Sequence, residues 1–402
     1  MRIAMLTNNY KPYMGGVPIS IEHLSNALRA QGHEVWIFAP TYKNQVEEEY
    51  VIRYPSFPVQ IAKAPMPNVF SRIFEEKIVE LGIDVIHVHH SALVGNVALM
   101  LQKQYGIPVV FTYHTRIEAY LHYVKPAQWL ENATGIVERY MNWFCNRCDL
   151  VVAPVEGIKK SLRTKGVTSS IEVLPTGVLE KDFFPDSAKV KEIRTAYKKD
   201  ADYLLCSVSR IAKEKNLDFQ LEGLKKLKEL MQKEGKTFRY LLIGDGPERE
   251  HFLEKVKVLG LTQEVCLTGR VENEEMAAYQ KACDVFLFSS KSETQGIVIL
   301  EAMAAGNPVV AVKASGVEDV VENGVNGYLT TEDATEFAGK IFRVLSEEAL
   351  REQLSLGAYI TATKYSENQI AERVAEAYNR TICECMEKER NKNQFKEYLW
   401  NH

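Results

Sequence analysis

Long apolar runs are missing from this sequence of 402 residues. A membrane-spanning helix needs about 20 consecutive apolar residues, and no stretch of the chain approaches that length. The opening run at residues 3–6 turns polar at Asn8, so it is too short for the core of a secretory signal peptide. We therefore expect a cytoplasmic protein whose membrane contacts, where they exist, are peripheral and lie on the cytosolic face.

A disulfide framework is missing as well. The 7 cysteines are an odd number and are scattered along the chain, which fits reduced thiols in the cytoplasm. Cys145 and Cys148 form a C-x-x-C within a helix-like stretch, but no second pair stands at zinc spacing. This pattern favours a packing role for both residues over a metal or redox role.

An excess of charge of one sign is also absent. The 49 Lys and Arg residues nearly balance the 53 Asp and Glu residues, which leaves a formal net charge of -4. This balance gives no whole-molecule attraction to nucleic acid, and we expect no nucleic-acid partner. Local contact faces are still available in basic clusters such as Lys159, Lys160, Arg163 and Lys165.

The sequence does contain short runs rich in Val, Ile and Leu that alternate with longer segments of helical period. This alternation is typical of β-α units and parallel sheets. Because 402 residues exceed one comfortable hydrophobic core, we expect two Rossmann-like α/β domains. The expected strands are 3–6, 35–38, 85–88, 109–112, 150–153 and 171–174 in the first half and 203–208, 240–243, 265–267, 285–288 and 309–312 in the second.

A domain boundary is indicated by Pro175 and Gly177, which are followed by a charged segment. We expect a linker over about residues 176–200, between a first domain at 1–178 and a second domain at 200–365. The charged C-terminal segment from about residue 366 has helical character and ends in apolar residues. We expect this helix to pack back on the first domain.

Loops that follow the strands are the places to look for chemistry, because ligands of open parallel sheets sit beyond the carboxyl ends of the strands. Gly15 and Gly16 follow the first strand, where paired glycines let backbone N–H groups approach a phosphate. His114 follows the strand at 109–112. The simpler interpretations are a tight turn for the glycines and a hydrogen-bonded core histidine for His114.

Basic residues open the second domain. Arg210, Lys213 and Lys215 come directly after the strand at 203–208 and before a helix that begins near Asn216. Cations at a strand end and a helix N-terminus suit a diphosphate leaving group, whose negative charge grows in the transition state. A solvated basic turn is the alternative.

Two glutamates flank the start of a later apolar helix. Glu293 precedes this helix and Glu301 lies two turns into it, between an apolar strand and the helix end at Gly306. At this spacing both carboxylates can face one ligand, while the N–H groups between them face an anion. Surface charge is the usual alternative for such a pair.

These residues together resemble the motif set of glycosyltransferase family 4, retaining enzymes of the GT-B fold. Arg210 and Lys215, followed by Glu293 and Glu301, carry the resemblance. It extends over nearly the whole chain through Gly15-Gly16, Pro175-Thr176-Gly177-Val178 and Gly244-Asp245-Gly246-Pro247. The resemblance implies two Rossmann-like domains with parallel sheets that face a central cleft, and an active site in that cleft.

The resemblance also implies roles for individual residues. Arg210 and Lys215 would neutralise the diphosphate of a nucleotide-sugar donor, Glu301 would bind the ribose hydroxyls, and Glu293 would contact the sugar. Further donor-binding residues implied in this way are Gly15, Gly16, Gly244, Thr294, Gln295, Gly296, Ile297 and Val298.

The reaction implied by the resemblance is hexosyl transfer with retention. His114 matches the family histidine near the transferred sugar, so the implied catalytic residues are His114, Glu293, Arg210 and Lys215. In the usual proposal for this family the leaving phosphate itself deprotonates the acceptor, and no nucleophile from the enzyme is required. Glu293 is therefore assigned to positioning and charge stabilisation.

Two metal signals are discounted, and we expect neither a metal nor another cofactor. His87, His89 and His90 alternate along a strand end, so only some of them share a face. Asp200-Ala201-Asp202 spells a D-x-D, but it precedes a strand instead of ending one. The family that the chain resembles is usually independent of metal.

The acceptor is suggested by the aromatic segment after His114. This segment resembles that of bacterial diacylglycerol glucosyltransferases, which implies a UDP-glucose donor and a lipid acceptor. The acceptor- or membrane-facing residues expected on this basis are Arg116, Tyr120, Tyr123 and Trp129, with more aromatic and basic residues up to Arg147. These aromatics can alternatively build the core of the first domain.

Other functions are compatible with the same motifs. A soluble transferase of this family would act on a small molecule or a polysaccharide. A sugar-nucleotide epimerase or a non-catalytic binding protein of the same fold is a third class. The intact set of Arg210, Lys215, Glu293 and Glu301 argues against a binding protein without activity, and we identify no acid and base pair for an epimerase.

Overall fold

The computed structural model describes residues 1–13, 16–61, 64–114, 127–291, 295–314 and 316–400, without the side chains of 58–61, 64–65, 127–134 and 392–400. The chain divides into two units. Met1–Gly177 and Glu367–His402 form the first unit, and Val178–Ser366 forms the second.

Parallel strands form the centre of the first unit. The described strands are β1 (Arg2–Leu6), β2 (Glu34–Pro40), β3 (Val51–Tyr54), β4 (Ser56–Ile61), β5 (Ala64–Pro67), β6 (Val85–Val88), β7 (Val109–Thr112), β8 (Leu150–Ala153) and β9 (Ser170–Val173). A 7-stranded sheet has the order β3-β2-β1-β6-β7-β8-β9, and all its pairs are parallel. Its strands read as continuous apolar runs because both faces of a parallel sheet are covered.

Helices cover both faces of this sheet. They are α1 (Gly16–Ala30), α2 (Ile73–Leu81), α3 (Val94–Tyr105), α4 (Ala127–Cys145) and α5 (Glu156–Thr164). One core contains buried residues of α2 to α5, among them Phe74, Val97, Phe144 and Ile158. The other core contains Ile21 and Leu28 of α1 on the opposite face of the sheet. The unit therefore has three layers.

The second unit repeats this plan. Its strands are β10 (Tyr203–Val208), β11 (Phe238–Ile243), β12 (Val265–Gly269), β13 (Val285–Phe288), β14 (Val309–Val312) and β15 (Gly327–Thr330). They form a 6-stranded parallel sheet with the order β12-β11-β10-β13-β14-β15. Its helices are α6 (Glu180–Phe183), α7 (Ser187–Lys198), α8 (Leu217–Lys233), α9 (Arg249–Val258), α10 (Asn273–Lys281), α11 (Ile297–Ala304), α12 (Ala334–Ser346) and α13 (Glu348–Thr363).

The segment that the sequence assigned to a linker is folded. Residues 176–200 contain α6 and α7, and both belong to the second unit. Arg194 of α7 donates hydrogen bonds to the carbonyl of Ala282 and to Asp284, at 2.6 and 2.9 Å. The change of unit is instead sharp, between Gly177 and Val178. A Cβ on Gly177 would lie 2.6 Å from the Cα of Glu367, so glycine is needed where the two chain segments pass.

The last helix, α14 (Glu367–Trp400), returns to the first unit. Ile370, Val374 and Tyr378 join α1 and the sheet in one core, and Arg380 forms an ion pair with Glu172 at 2.8 Å. The expected α/β class with two parallel-sheet, Rossmann-like halves is confirmed. In the described part of the chain, no helix combines the length and apolarity that a bilayer span requires.

Candidate active site

Strand order locates a candidate site in each unit. A Rossmann sheet binds ligands at the point where the strand order reverses, outside the carboxyl ends of the strands. This point lies between β1 and β6 in the first unit and between β10 and β13 in the second. The residues that follow these four strands are therefore the ones to examine in detail.

Basic residues follow β10 in the second unit. Arg210 is exposed, and no described residue forms an ion pair with it. Lys213 and Lys215 lie in a single 3-10 turn that leads into α8, where Asn216 adopts a left-handed conformation with φ of 54°. Lys215 is partly buried, whereas Lys213 is exposed. The cations thus lie at a strand end and a helix N-terminus, as an anion site requires.

A buried hydrogen-bond network holds this turn against the end of β13. The amide of Gln220 donates to the Ser207 hydroxyl at 2.5 Å, and Ser207 donates to the Leu287 carbonyl at 2.7 Å. The Ser289 hydroxyl lies 2.9 Å from the backbone carbonyl oxygen of Lys215 and 3.1 Å from the side-chain Oε1 of Gln220. The side chains of Ser207, Gln220 and Ser289 are buried. Sequence reasoning missed this network, because its members are distant in sequence and polar residues of these types carry no motif.

Two glycines that follow β11 pack closely against the backbone of the loop that contains Arg210. A Cβ on Gly244 would lie 2.1 Å from the Ser209 carbonyl oxygen, and a Cβ on Gly246 would lie 2.2 Å from that of Ile211. Gly244 also has a φ of 138°, which L side chains rarely adopt. Both glycines are thus required for packing against the loop, and the direct donor contact implied for Gly244 stays a prediction.

The N-terminus of α11 follows β13. Gly296 takes the left-handed conformation, with φ of 67°, and the helix begins with Ile297 and continues with Val298. Gln295, which precedes Gly296, is buried. The first turn of any helix has N–H groups without intrahelical partners, which can face an anion. Glu293 and Thr294 lie outside the described residues.

Glu301 lies four residues after Ile297, which is just over one turn of α11, so the predicted distance of two turns was wrong. Burial and, to a lesser extent, the nearby charge of Asp182 raise the pKa of the Glu301 carboxyl to about 7, with Lys181 acting in the opposite direction. This carboxyl therefore changes its protonation near neutral pH.

Gly16 is the first residue of α1 and is exposed. Its φ is not positive, and a Cβ added there would meet no described atom within 4 Å. The described structure thus gives no packing reason for glycine at this position. Gly15 lies outside the described residues.

His114 follows β7 and is partly buried. Its Nε2 lies 2.8 Å from Nδ1 of His89, which follows β6. Burial lowers the pKa of His114 to about 3, so the imidazole is neutral at ordinary pH. His114 therefore forms the kind of hydrogen bond that a core histidine was expected to form, although part of its side chain is exposed. Sequence reasoning discounted His89 as a metal ligand and did not identify it as the partner of His114.

The segment assigned to the acceptor is only partly described. Arg116, Tyr120 and Tyr123 lie outside the described residues, as does the side chain of Trp129 on α4. The described side chains later in α4 support both interpretations, because some of them build the core and others lie on the surface.

Phe144 is fully buried and belongs to the core. Trp143 is 41% exposed, stacks on Tyr140 with ring centroids 5.7 Å apart, and carries the Arg147 guanidinium 4.3 Å from its ring centroid. One face of this part of α4 is therefore core, and another presents aromatic and basic groups to the surface.

The structure also shows where the cysteine pair lies and whether the described side chains could hold a metal ion. Cys145 and Cys148 are free, buried and part of the apolar core, so their packing role is confirmed. Within the ranges that the structure describes, no group of three or more His, Cys, Asp or Glu side chains is arranged to hold a metal ion. The independence from metal stays a prediction.

Known families and proteins match this chain along most of its length. The Glycosyltransferase Family 4 model matches residues 14–179, and the Glycosyl transferases group 1 model matches residues 189–361. An alpha-monoglucosyldiacylglycerol synthase of Streptococcus pneumoniae is 32% identical over 321 residues, which are 77% of this chain and 71% of that protein. A protein of the same name from Acholeplasma laidlawii is 27% identical over 94% of this chain and 96% of its own length.

A solved structure shares the fold. Sucrose-phosphate synthase from Thermosynechococcus elongatus has a TM-score of 0.76 at 22% identity, over 95% of this chain and 99% of its own. Two Rossmann-like units with these matches define a glycosyltransferase of the GT-B fold. The chain belongs to glycosyltransferase family 4.

Proposed function

We propose that this chain transfers glucose from UDP-glucose to a diacylglycerol-type lipid at the cytosolic face of a membrane, with retention at the anomeric carbon. The observation that carries this proposal is the similarity, over most of the chain, to two relatives that are both named alpha-monoglucosyldiacylglycerol synthase. The arrangement of charged and aromatic groups in each unit supports it.

Donor binding is assigned to the second unit. The exposed Arg210 and the partly buried Lys215, together with the N-terminus of α11, supply positive charge for a diphosphate. Glu301, one turn into α11, accepts hydrogen bonds from the ribose hydroxyls. The buried network around Gln220 supports this assignment, since it holds the turn that carries Lys215 in one position.

The transfer step breaks the bond between the anomeric carbon and the diphosphate oxygen and forms a bond from the same face to the acceptor oxygen. The acceptor proton passes to the leaving diphosphate, so both products are complete without a group from the enzyme. Charge builds up on the leaving oxygen, where preorganised cations lower the barrier most effectively. Arg210 and Lys215 are assigned to this role, and Gly16 is assigned to donor binding.

In this proposal His114 acts as an uncharged imidazole. With a pKa of about 3 it carries no positive charge near neutrality, so it cannot stabilise the diphosphate as a cation. Its function is a hydrogen bond to the transferred sugar. Glu293 is assigned to positioning of the same sugar.

Lipid access is assigned to the face of α4 that contains Ile136, Arg139 and Trp143, continued by Arg147. All four residues are exposed, and their spacing places them on one side of the helix. Aromatic rings anchor at the headgroup level of a bilayer, and basic side chains are attracted to anionic lipids. Arg116, Tyr120, Tyr123 and Trp129 precede this face in sequence and are assigned to the acceptor side with it.

The test is a transfer assay with radiolabelled UDP-glucose and three kinds of acceptor. Diacylglycerol in anionic vesicles, a panel of soluble glycosides and oligosaccharides, and water are offered in parallel. We expect label in a lipid product only when diacylglycerol is present. Label in a soluble acceptor alone would replace the lipid assignment with a soluble transferase, and free glucose alone would indicate that neither acceptor class is correct.

A further inference from the structure

Polar side chains connect the carboxyl ends of β6 and β7. His87 and His89 point to one face because side chains alternate along a strand, and Thr112 and His114 follow the same rule on the neighbouring strand. Nε2 of His87 lies 2.6 Å from the Thr112 hydroxyl, and Nδ1 of His89 lies 2.8 Å from Nε2 of His114. The rings of His89 and His114 are stacked, with centroids 5.1 Å apart and an interplanar angle of 29°.

His89 is buried and packed against His87 in this position. It is 3% exposed, and its ring packs on the ring of His87 with centroids 4.2 Å apart. His87 is bound at both nitrogens, since its Nδ1 lies 2.5 Å from the buried Tyr378 hydroxyl of α14 and its Nε2 contacts Thr112.

Both members of the His89–His114 pair are neutral. Burial lowers the pKa of His114 to about 3 and lowers that of His89 well below its ordinary value, where the neighbouring histidines add to the effect. A neutral imidazole has one N–H and one bare nitrogen. The hydrogen in their shared bond therefore belongs either to Nδ1 of His89 or to Nε2 of His114.

The other nitrogen of His89 decides between these arrangements. Nε2 of His89 is buried and has no hydrogen-bond partner among the described residues. If Nε2 carried the hydrogen, a donor would be buried without an acceptor, which is rare and costs about 1–3 kcal/mol. If Nδ1 carries it, that hydrogen is used in the bond to His114, and only a lone pair stays unpaired.

We propose that His89 is a positioning residue that donates from Nδ1 to Nε2 of His114 and thereby fixes His114 as the tautomer with its hydrogen on Nδ1. His114 then presents an N–H donor, not a bare nitrogen, to an oxygen of the transferred sugar. The role toward sugar rests on the proposed function. The tautomer itself does not, because it follows from contacts within the first unit.

The direct test is nitrogen-15 NMR of the full chain with labelled histidine, without any substrate. The His114 signals are assigned by their loss in the variant His114→Gln. We expect a protonated Nδ1 and a bare Nε2 in His114, and the same pattern in His89, whose Nδ1 donates to His114 and whose Nε2 faces away from the pair. A hydrogen on Nε2 of His114 would overturn the proposal whether or not the chain is a glucosyltransferase.

Variants at position 89 test the consequence for the reaction. An asparagine amide can place an N–H donor close to the position of the histidine Nδ1, whereas leucine removes it. We expect His89→Asn to keep the tautomer of His114 and most of kcat, and His89→Leu to lose the tautomer and roughly tenfold in kcat, equivalent to about 1.4 kcal/mol. KM for UDP-glucose should change less than kcat.

Thermal unfolding of each variant separates positioning from stability. Equal losses of kcat in the two variants, in proportion to their loss of stability, would indicate a merely structural role and contradict the proposal. His251→Gln is the control, because His251 is an exposed residue of the second unit that contacts Asp218 at 3.0 Å. If His89→Leu fails to fold, the NMR measurement on the unaltered chain still decides.

Discussion

Glu301 changes its protonation in the range where the protein is expected to work. Its pKa of about 7 lies above the ordinary 4.5 because burial disfavours the carboxylate. Between these values the folded chain binds a proton more tightly than the unfolded chain does. The contribution of this group to the free energy of unfolding therefore decreases as pH rises through that window and is constant above it.

The affinity for the donor should increase as pH rises, in contrast to the contribution of Glu301 to the free energy of unfolding. Ribose hydroxyls donate to a carboxylate, so we expect the affinity for UDP-glucose to increase from pH 6 to pH 8, by up to about tenfold per pH unit below the pKa. Glu301→Gln should bind more weakly at pH 8 and lose this pH dependence. Calorimetric titration without acceptor measures both. Parallel pH profiles for the two proteins would refute the assignment of Glu301 to the donor.

Gly16 offers a second test at the scale of one residue. Because no described atom lies within 4 Å of an added Cβ, Gly16→Ala should leave the unfolding temperature unchanged. If a phosphate or sugar approaches the backbone here, the methyl group displaces it, and such a misplacement costs about 10²-fold in rate. Transfer rate and thermal unfolding are measured together.

Gly339→Ala is the matched control. Gly339 lies within α12 and also has no atom within 4 Å of an added Cβ. Alanine should stabilise this helix by about 0.5–1 kcal/mol and leave transfer unchanged. Normal activity in Gly16→Ala would show that the glycine serves no ligand.

The exposed face of α4 is the feature to test at the scale of an element. Each of Arg139 and Arg147 should add roughly 1 kcal/mol of attraction to an anionic surface. We expect Arg139→Ala to weaken co-sedimentation with anionic vesicles about fivefold at low salt, and Trp143→Ala to weaken it at every salt concentration, since aromatic insertion is not screened.

Arg343→Ala is the control for this experiment, since Arg343 is an exposed arginine on a helix of the second unit, α12. It should sediment like the unaltered chain. Binding that is equal in all variants, or equal for neutral and anionic vesicles, would contradict the role assigned to α4.

Several strands have the bounds that were predicted from the sequence. The bounds expected for β6, β7, β8, β10, β13 and β14 agree with the structure. These strands are buried on both faces and read as uninterrupted apolar runs. β3, β4, β5 and β15 were missed. β4 and β5 form a two-stranded antiparallel pair outside the main sheet, and β15 has the sequence Gly327-Tyr328-Leu329-Thr330, which is not an apolar run.

At the scale of the whole molecule, the reaction should need no metal. We expect transfer to survive EDTA and to yield an α-linked product from the α-linked donor, because cations of the chain and a helix N-terminus supply the charge stabilisation. The measurements are initial rates with EDTA and with added Mg²⁺ or Mn²⁺, and NMR of the product linkage. Activity that disappears with EDTA and returns with metal, or a β-linked product, would refute this prediction.

Sequence alone determined the α/β class, the two parallel sheets and the segments that carry Arg210, Lys215, Glu301 and His114. These features depend on local period and on residues next to one another, which a single chain displays directly. Motif order then located the candidate donor residues, although Glu293, Thr294 and Gly15 lie outside the described structure.

Only the tertiary structure decided which distant residues meet. Ser207, Gln220 and Ser289 come together because β10 and β13 are neighbours in the sheet although five helices and strands separate them along the chain. His89 meets His114 in the same way, across β6 and β7. Burial, which raises the pKa of Glu301 and lowers that of His114, likewise depends on the layers packed around each side chain, and no local pattern encodes it.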